Sequence, residues 1–469
     1  MRVMLADVPA RQYGFDASYP NMGVLYLISS LRARPPVPDL QLRHLDARCD
    51  LRAHAAAVRE FAPDIYGLSL SSLAMPHLPE IAEAVRAAAP GAVIICGGPG
   101  PTADPAGALA CEQVEACVLG EGEETLAAVV EAVAAGHHLR EAPLPGTAVR
   151  TEEGVLLGEP RPLVADLDSL PFPAWDLVDF AAYPGMHLRR AGPETSVVIS
   201  RGCPYNCCFC SNPVWKLGRP WLRARSAANI AEEVELLYRR GVREIYFASD
   251  ELNHAEGPAR ELCEAMAKLG RRDLHFQCNL RAHPLSDGLA RALREMNCWL
   301  VHLGIESAND RVLAGIGKRV TVSQVEEACR RLSRHGVRVF AFMMLYQAWE
   351  ERDGQLAWET TAEVENSLRF MRRMFRERSV HYMSWQICTP LPGSRLYDVA
   401  RRHGLLPSAL ATNYEHHPNM DLPGISQGEM QRLLRRGILL KDWFIVRSGG
   451  LNLRHLGRVW ENLRSVVGR

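Results

Sequence analysis

Two series of short apolar runs, each alternating with amphipathic helical patterns, leave this chain few folds to adopt. In the first series, residues 2–6, 40–45, 65–70, 92–96 and 116–119 read as buried parallel strands, with helical patterns such as 22–31 and 78–88 between them. Five such βα repeats predict an α/β domain over 1–136, an open doubly wound, Rossmann-like sheet whose ligand would lie at the carboxyl ends of its strands. From 137 to 194 the chain turns irregular and rich in proline and glycine. A hairpin is predicted there at 146–149 and 155–158, followed by Leu170-Pro-Phe-Pro-Ala-Trp175; the aromatic content suits a linker that wraps rather than a flexible tether. A second series, 195–200, 243–249, 274–280, 299–305, 337–345 and 380–388, predicts a partial (β/α)6 TIM-type barrel over 195–404 with its chemistry at the carboxyl-terminal rim. Residues 405–469 read as a mostly helical region. Helices at 429–441 and 451–466 mix arginine with leucine, which suits a solvated cap with an apolar underside or a membrane-surface helix.

Composition fits this layout and narrows the function classes. A chain of 469 residues exceeds the ~250–300 at which single cores stop growing, so two or more domains are expected. Lys plus Arg and Asp plus Glu both number 54, so no global charge points to nucleic acid or to a membrane surface. The first predicted strand starts at the first residues, without a basic and apolar leader, and no run reaches the ~18 apolar residues of a membrane span. The 13 cysteines lack a small-scaffold disulfide pattern, and thiolates ready for a metal need a reducing compartment. The expected location is cytoplasmic.

The chemistry concentrates in Arg-Gly-Cys203-Pro-Tyr-Asn-Cys207-Cys208-Phe-Cys210, which directly follows the first strand of the second series. Cys203, Cys207 and Cys210, at C-x3-C-x2-C spacing, can hold three corners of a [4Fe–4S] cube and leave the fourth iron without a protein ligand. Soft sulfur ligands select such clusters or zinc. A closed cluster or a structural zinc would each want a fourth ligand, here a distant His or Cys. Cys208 falls outside the spacing and reads as a packing residue.

Other polar and glycine residues gather at predicted strand ends. In the first domain these are Ser69, Ser71 and Ser72, then Gly97 and Gly98, then Gly120-Glu121-Gly122-Glu123. Glycine there permits close backbone approach to a bulky ligand, although it is also a common turn residue. In the barrel they are Ser249-Asp250-Glu251, then Asn279 and Arg281, then Gly304-Ile305-Glu306-Ser307. Each of these has an alternative reading as a helix cap or surface charge.

The cysteine spacing, with an aromatic residue before its last cysteine, resembles the signature of the radical S-adenosylmethionine (SAM) superfamily. The whole chain is similar to the branch carrying a cobalamin-binding domain, which includes class B radical SAM methyltransferases. The likeness covers nearly the full length. It rests on Pro20-Asn-Met-Gly-Val-Leu-Tyr-Leu27, Pro63-Asp-Ile-Tyr-Gly-Leu-Ser69, Gly97-Gly98 with Thr102, Gly120-Glu-Gly-Glu-Glu-Thr125, the cysteine loop, Gly304–Ser307 and Pro390-Leu-Pro-Gly-Ser-Arg-Leu-Tyr397. The resemblance implies that SAM occupies the open iron. It implies SAM contacts at Ser249, Asp250, Glu251, Asn279, Arg281, Gly304, Glu306 and Ser307, and cobalamin contacts at Ser71, Ser72, Gly97, Gly98, Gly120, Glu121 and Gly122. Two departures stand out. The Asp-x-His-x-x-Gly motif that supplies a cobalt-ligating histidine in many cobalamin domains is absent. This branch often lacks it, and its absence also permits a domain that has lost cobalamin. After the fifth barrel strand, many relatives carry Gly-x-Pro-Gly-Glu-Thr. Here a longer run, 345–360, keeps only Glu359-Thr360 and adds Tyr346, Trp349 and Trp358, as a substrate lid or as a packed loop.

The mechanism that this resemblance implies starts with one electron from a flavodoxin- or ferredoxin-type donor. SAM is then cleaved to methionine and a 5′-deoxyadenosyl radical, which takes hydrogen from an unactivated carbon. In the methyltransferase version a cobalamin-borne methyl goes to that carbon, and a second SAM restores the methyl. The expected substrate is a small-molecule intermediate of secondary metabolism. Cyclisation, rearrangement, oxidation or epimerisation are alternatives within the family, and a non-catalytic iron–sulfur electron carrier is the alternative outside it.

Overall fold

Asn21 shows how locally the first series is encoded: its side chain accepts from Val24 N at 3.3 Å and so starts the helix Met22–Ala33. It also donates to Ser69 Oγ at 3.1 Å, tying that helix start to a strand end. The computed structural model describes residues 1–14, 17–186, 188–211, 216–407 and 417–447. They fall into two compact units, Met1–Gly202 with Asn212–Tyr246, and Cys203–Ser211 with Phe247–Arg469.

The first unit holds a seven-stranded sheet. Strands β1 (Arg2–Asp7), β2 (Gln41–Leu45), β3 (Ile65–Ser69), β4 (Val93–Gly97) and β5 (Val114–Val118) run parallel in the order β2-β1-β3-β4-β5. The strand order reverses beside β1 and β3, where ligands of doubly wound sheets bind. The hairpin predicted within the linker forms as β6 (Thr147–Thr151) and β7 (Gly154–Leu157), but it belongs to this sheet. β6 pairs antiparallel with β5, Ala116 against Val149 and Val118 against Thr147, and so covers what would be an open edge. Met4, Tyr66, Leu68, Ile94, Cys96 and Cys117 form the buried centre. The unit continues through β8 (Glu194–Val198), β9 (Ser200–Arg201), β10 (Arg223–Ala224) and the helix Ala227–Arg239; the chain passes to the second unit within β11 (Glu244–Ala248).

In the second unit, β12 (His275–Leu280), β13 (Cys298–Glu306), β14 (Arg338–Leu345) and β17 (Tyr382–Ile387) pair in parallel, in the order β12-β13-β14-β17. All six strands predicted for the second series form, their ends shifted by at most two residues. Period-two alternation buries Val339, Ala341, Met343 and Leu345 on one face of β14 and leaves Phe340, Phe342 and Met344 half-buried on the other. A small ribbon, β15 (Ala348–Glu350) with β16 (Leu356–Trp358), fills the long connection after β14. The helix Gln427–Arg447 presses Gly437 onto the Trp385 ring, where a Cβ would stand 2.7 Å from Cγ, and stacks Phe444 on Phe375 at 3.7 Å. Its underside is therefore a packing face, with Leu439 and Trp443 left exposed. The helix predicted at 451–466 lies outside the described residues. Among those described, no helix is long and apolar enough to cross a membrane.

Candidate active site

The cysteine loop opens at Gly202, whose φ of +85° and close approach to the Trp221 carbonyl exclude a side chain. Within the second unit the loop is held from three sides. Cys208 N donates to Ile316 O at 2.9 Å, Leu396 N donates to Cys208 O at 2.8 Å, and the Cys208 thiol points at Ala348 O, 3.5 Å away. Cys208 is thus committed to holding the loop. Cys207 Sγ lies 3.8 Å from Gly317 O, and Cys203 Sγ lies 4.0 Å from Glu251 Oε1. Burial, with Glu251 and Asp250 adding to it, pushes the Cys203 thiol up to about 12. A thiolate there needs the positive charge of a metal, which suits an iron-ligating role. Among the described residues no three His, Cys, Asp or Glu side chains converge on a single ion. A cube bound by one thiolate at each of three corners does not need them to.

The residues expected around SAM line the strand ends of the same unit. Asn279 donates to Ser249 O at 2.8 Å, joining the segment after β11 to β12. Asn253 donates to Arg281 O and accepts from Arg281 N, both at 2.8 Å, and so fixes the backbone where β12 ends. The Arg281 guanidinium stacks on Tyr205 of the cysteine loop, 3.7 Å from the ring centroid. It is only 6% exposed, yet its Nε and Nη2 have no partner among the described residues; the buried Ser249 hydroxyl has none either. Buried donors of this kind call for a ligand. Glu251 is buried too, and burial raises it to about 7 against the opposing pull of Arg281 and Lys318.

At the end of β13, Glu306 adopts a left-handed backbone with φ of +67° and pairs with Lys318 Nζ at 2.9 Å. Gly304 makes room for this pair, because a Cβ there would collide with Glu306 Oε1 and come 2.8 Å from Lys318 Nζ. Lys318 was not singled out by the sequence; it sits in Ile316-Gly317-Lys318, the segment that also meets Cys207 and Cys208. Ser307 is buried and donates to Glu359 Oε1 at 2.8 Å, so its hydroxyl acts as a tether.

Glu359 explains the long run 345–360. Its carboxylate accepts from Tyr346 N at 2.9 Å, holding a residue whose φ is +60°. Trp349 is buried with its ring against Gly315, and Tyr346 is fully buried. The run packs at its two ends, with Ala348 against the cysteine loop and 351–355 exposed, and Thr360 caps the helix Thr361–Arg376 through a capping box with Glu363. Burial raises Glu359 to about 8, against the hydrogen bonds that favour its charge. A raised folded pKa means that its stabilising contribution is full below the ordinary carboxylate range and is lost as pH rises through about 8. The melting temperature of the protein is expected to fall from pH 6 to pH 9, and to fall less in Glu359→Gln. Equal slopes in the two proteins would remove Glu359 as the cause.

In the first unit, Ser71, Ser72, Gly97, Gly98, Gly120 and Gly122 come together as a half-exposed rim of small residues at the ends of β3, β4 and β5. Some of these glycines also serve the fold. A Cβ on Gly98, φ +97°, would stand 2.8 Å from Leu70 O. Thr102 Oγ accepts from Gly120 N at 3.0 Å and donates to Gly98 O at 2.8 Å, linking two of the turns. Asp7 Oδ1, at the end of β1 beside the point where strand order reverses, is buried with no partner among the described residues. A broad ligand laid over the strand ends fits this rim. Glu121 departs from the expectation in one respect: its carboxylate is fully engaged by protein groups, Arg201, Arg223 and Val164 N.

Known proteins match both units. Residues 197–357 match the radical SAM superfamily and residues 15–130 match the B12 binding domain. An uncharacterized methyltransferase of Pyrococcus horikoshii is 28% identical over 91% of this chain and 90% of its own length. The anaerobic magnesium-protoporphyrin IX monomethyl ester cyclase of Cereibacter sphaeroides is 25% identical over 82% of this chain, which spans 61% of the cyclase. A solved structure of the cobalamin-dependent SAM radical enzyme OxsB, with aqua-cobalamin and SAM bound, superposes with a TM-score of 0.73 at 17% identity. That match covers 99% of this chain and 70% of OxsB and shows the shared fold. The chain is a radical SAM enzyme that carries an N-terminal B12-binding domain. Its cofactors are a [4Fe–4S] cluster, SAM and cobalamin.

Proposed function

We propose that this enzyme transfers a methyl group to an unactivated carbon of a small molecule. The observation that carries the reading is the pairing, in one chain, of a radical SAM domain and a B12-binding domain over the length shared with a methyltransferase-named relative. When bound, the cluster and SAM supply a carbon-centred radical and cobalamin supplies a methyl group. The chain's own residues position these groups and exclude water. Cys203, Cys207 and Cys210 would hold the cluster, with Cys208 fastening their loop. Arg281, with two buried guanidinium nitrogens that have no partner among the described residues, suits the SAM carboxylate. Ser249, Asn279 and the Glu306–Lys318 pair would frame its methionyl end, and the serine and glycine rim of the first unit would carry cobalamin. A small iron–sulfur or flavin protein would supply the electron.

The cyclase relative favours a second reading, oxidative cyclisation without methyl gain. Reconstituted enzyme with hydroxocobalamin, SAM, reductant and candidate substrates separates the two. Methyl transfer predicts one 5′-deoxyadenosine and one S-adenosylhomocysteine for each methyl gained by product. 5′-Deoxyadenosine without S-adenosylhomocysteine, with a product that has lost hydrogen, would replace methyl transfer by cyclisation.

A further inference from the structure

We infer that Glu121 and Glu123, in the glycine-rich turn after β5, are positioning residues for the cluster loop, clamping its stem through Arg201 and Arg223. The stem is the two-stranded ribbon β9–β10, in which Arg201 and Arg223 are register partners. Arg201 stands two residues before Cys203, and Arg223 leads out of the same excursion of the chain. One carboxylate grips both strands: Arg201 Nη1 donates to Glu121 Oε1 at 3.1 Å, and Arg223 Nη1 donates to Oε2 at 2.8 Å. Glu123 takes the second arm of Arg201, Nη2 to Oε1 at 2.6 Å. Val164 closes the set, its N–H donating to Glu121 Oε2 at 2.7 Å and its carbonyl accepting from Arg223 at 2.7 Å.

The four side chains are 3–19% exposed, so this is a desolvated network rather than a surface pairing. Burial disfavours the charge on Glu121, yet Arg223, Arg201 and the Val164 N–H outweigh it and hold the carboxyl below its usual range. Planar guanidinium forks set angle as well as distance, which a lysine could not do. Around the clamp, Arg201 lies over the Tyr26 ring at 5.3 Å, and Arg225, following β10, pairs with the fully buried Glu233. Glu233 in turn accepts from Trp175 Nε1 at 2.8 Å. The stem is therefore braced along its length within the first unit. The turn Gly120–Glu123 thereby acquires two separable duties. Its glycines belong to the rim at the strand ends, and its carboxylates hold the base from which the cluster cysteines project.

The inference uses the cluster and cobalamin but does not depend on methyl transfer being the reaction. Its test reads the two cofactors separately, in full-length protein reconstituted with iron and sulfide and supplied with hydroxocobalamin and SAM. Glu121→Gln and Arg201→Lys are expected to bind as much cobalamin as the parent protein under the same conditions. In both, the paramagnetic resonance spectrum of the reduced cluster with SAM should broaden or shift. 5′-Deoxyadenosine formation should drop about 10- to 100-fold, as for a site displaced by about 1 Å. Loss of cobalamin from Glu121→Gln with an unchanged cluster spectrum would overturn the inference and make Glu121 a cobalamin contact. An unchanged spectrum and rate in folded Arg201→Lys would also overturn it. If Glu121→Gln fails to fold because two cations lose their partner, Glu121→Gln with Arg223→Gln removes charge in balance, and the same readouts decide.

Discussion

Cys203→Ala, Cys207→Ala and Cys210→Ala are each expected to reduce 5′-deoxyadenosine formation to background, whereas Cys208→Ala should retain it. The four thiols lie within eight residues, so composition and exposure alone do not separate them. Function separates them by geometry. Cys208 is fastened by its own N–H and C=O to Ile316 and Leu396, and its thiol meets Ala348 O. Removing that thiol deletes a weak hydrogen bond and a small volume, a cost of about 1 kcal/mol in stability. The backbone bonds that place the loop remain. On the proposed assignment, removing any of the other three would delete a ligand and leave an iron without protein support. Iron and sulfide content, the visible charge-transfer band and nucleoside formation would be measured on all four variants under identical reconstitution. Full activity in any of the first three would sink the cluster assignment; loss of the cluster in Cys208→Ala would sink the packing role.

What could be read in the sequence was whatever depends on near neighbours. The strands were legible because each is a short apolar run between turn residues, and the cysteine loop because its spacing sits within one turn of chain. Contacts between residues far apart in sequence were not legible. The hairpin at 146–158 could be recognised as a hairpin, but its membership of the first sheet depends on Ala116 meeting Val149. The run 345–360 could be recognised as an elongated loop. That its two ends are packed while 351–355 stay exposed depends on Trp349 finding Gly315 and on Glu359 finding Ser307. Glu121 carried a motif, but the motif does not reveal that Arg223, 102 residues away, takes its carboxylate. Lys318 had no motif at all. Its place beside Glu306 and behind the cysteine loop arises only when the segment after β13 folds back on the loop.

Arg281→Met is expected to weaken SAM binding by about 10- to 100-fold, the worth of a hydrogen bond to a charged group. The iron–sulfur spectrum should stay unchanged. A guanidinium 6% exposed with two nitrogens unpartnered among the described residues is costly unless an anion completes it. Among the described residues no carboxylate is within hydrogen-bonding distance of those two nitrogens, although Glu251 is near enough to feel the charge. Tyr205 stacks on one face and Asn253 fixes the backbone, so the fork is held in place before a ligand arrives. That preorganisation favours a planar carboxylate, which accepts two parallel N–H groups, over a diffuse negative field. Arg281→Lys keeps the charge and loses the fork, so it should recover only part of the affinity. Equilibrium dialysis of SAM against oxidised, cluster-loaded protein measures this without turnover. If Arg281 serves only to pack against Tyr205, then Arg281→Met will lower the melting temperature while the folded protein binds SAM as before. Weakened binding at an unchanged melting temperature would instead assign the two unpartnered nitrogens to the ligand.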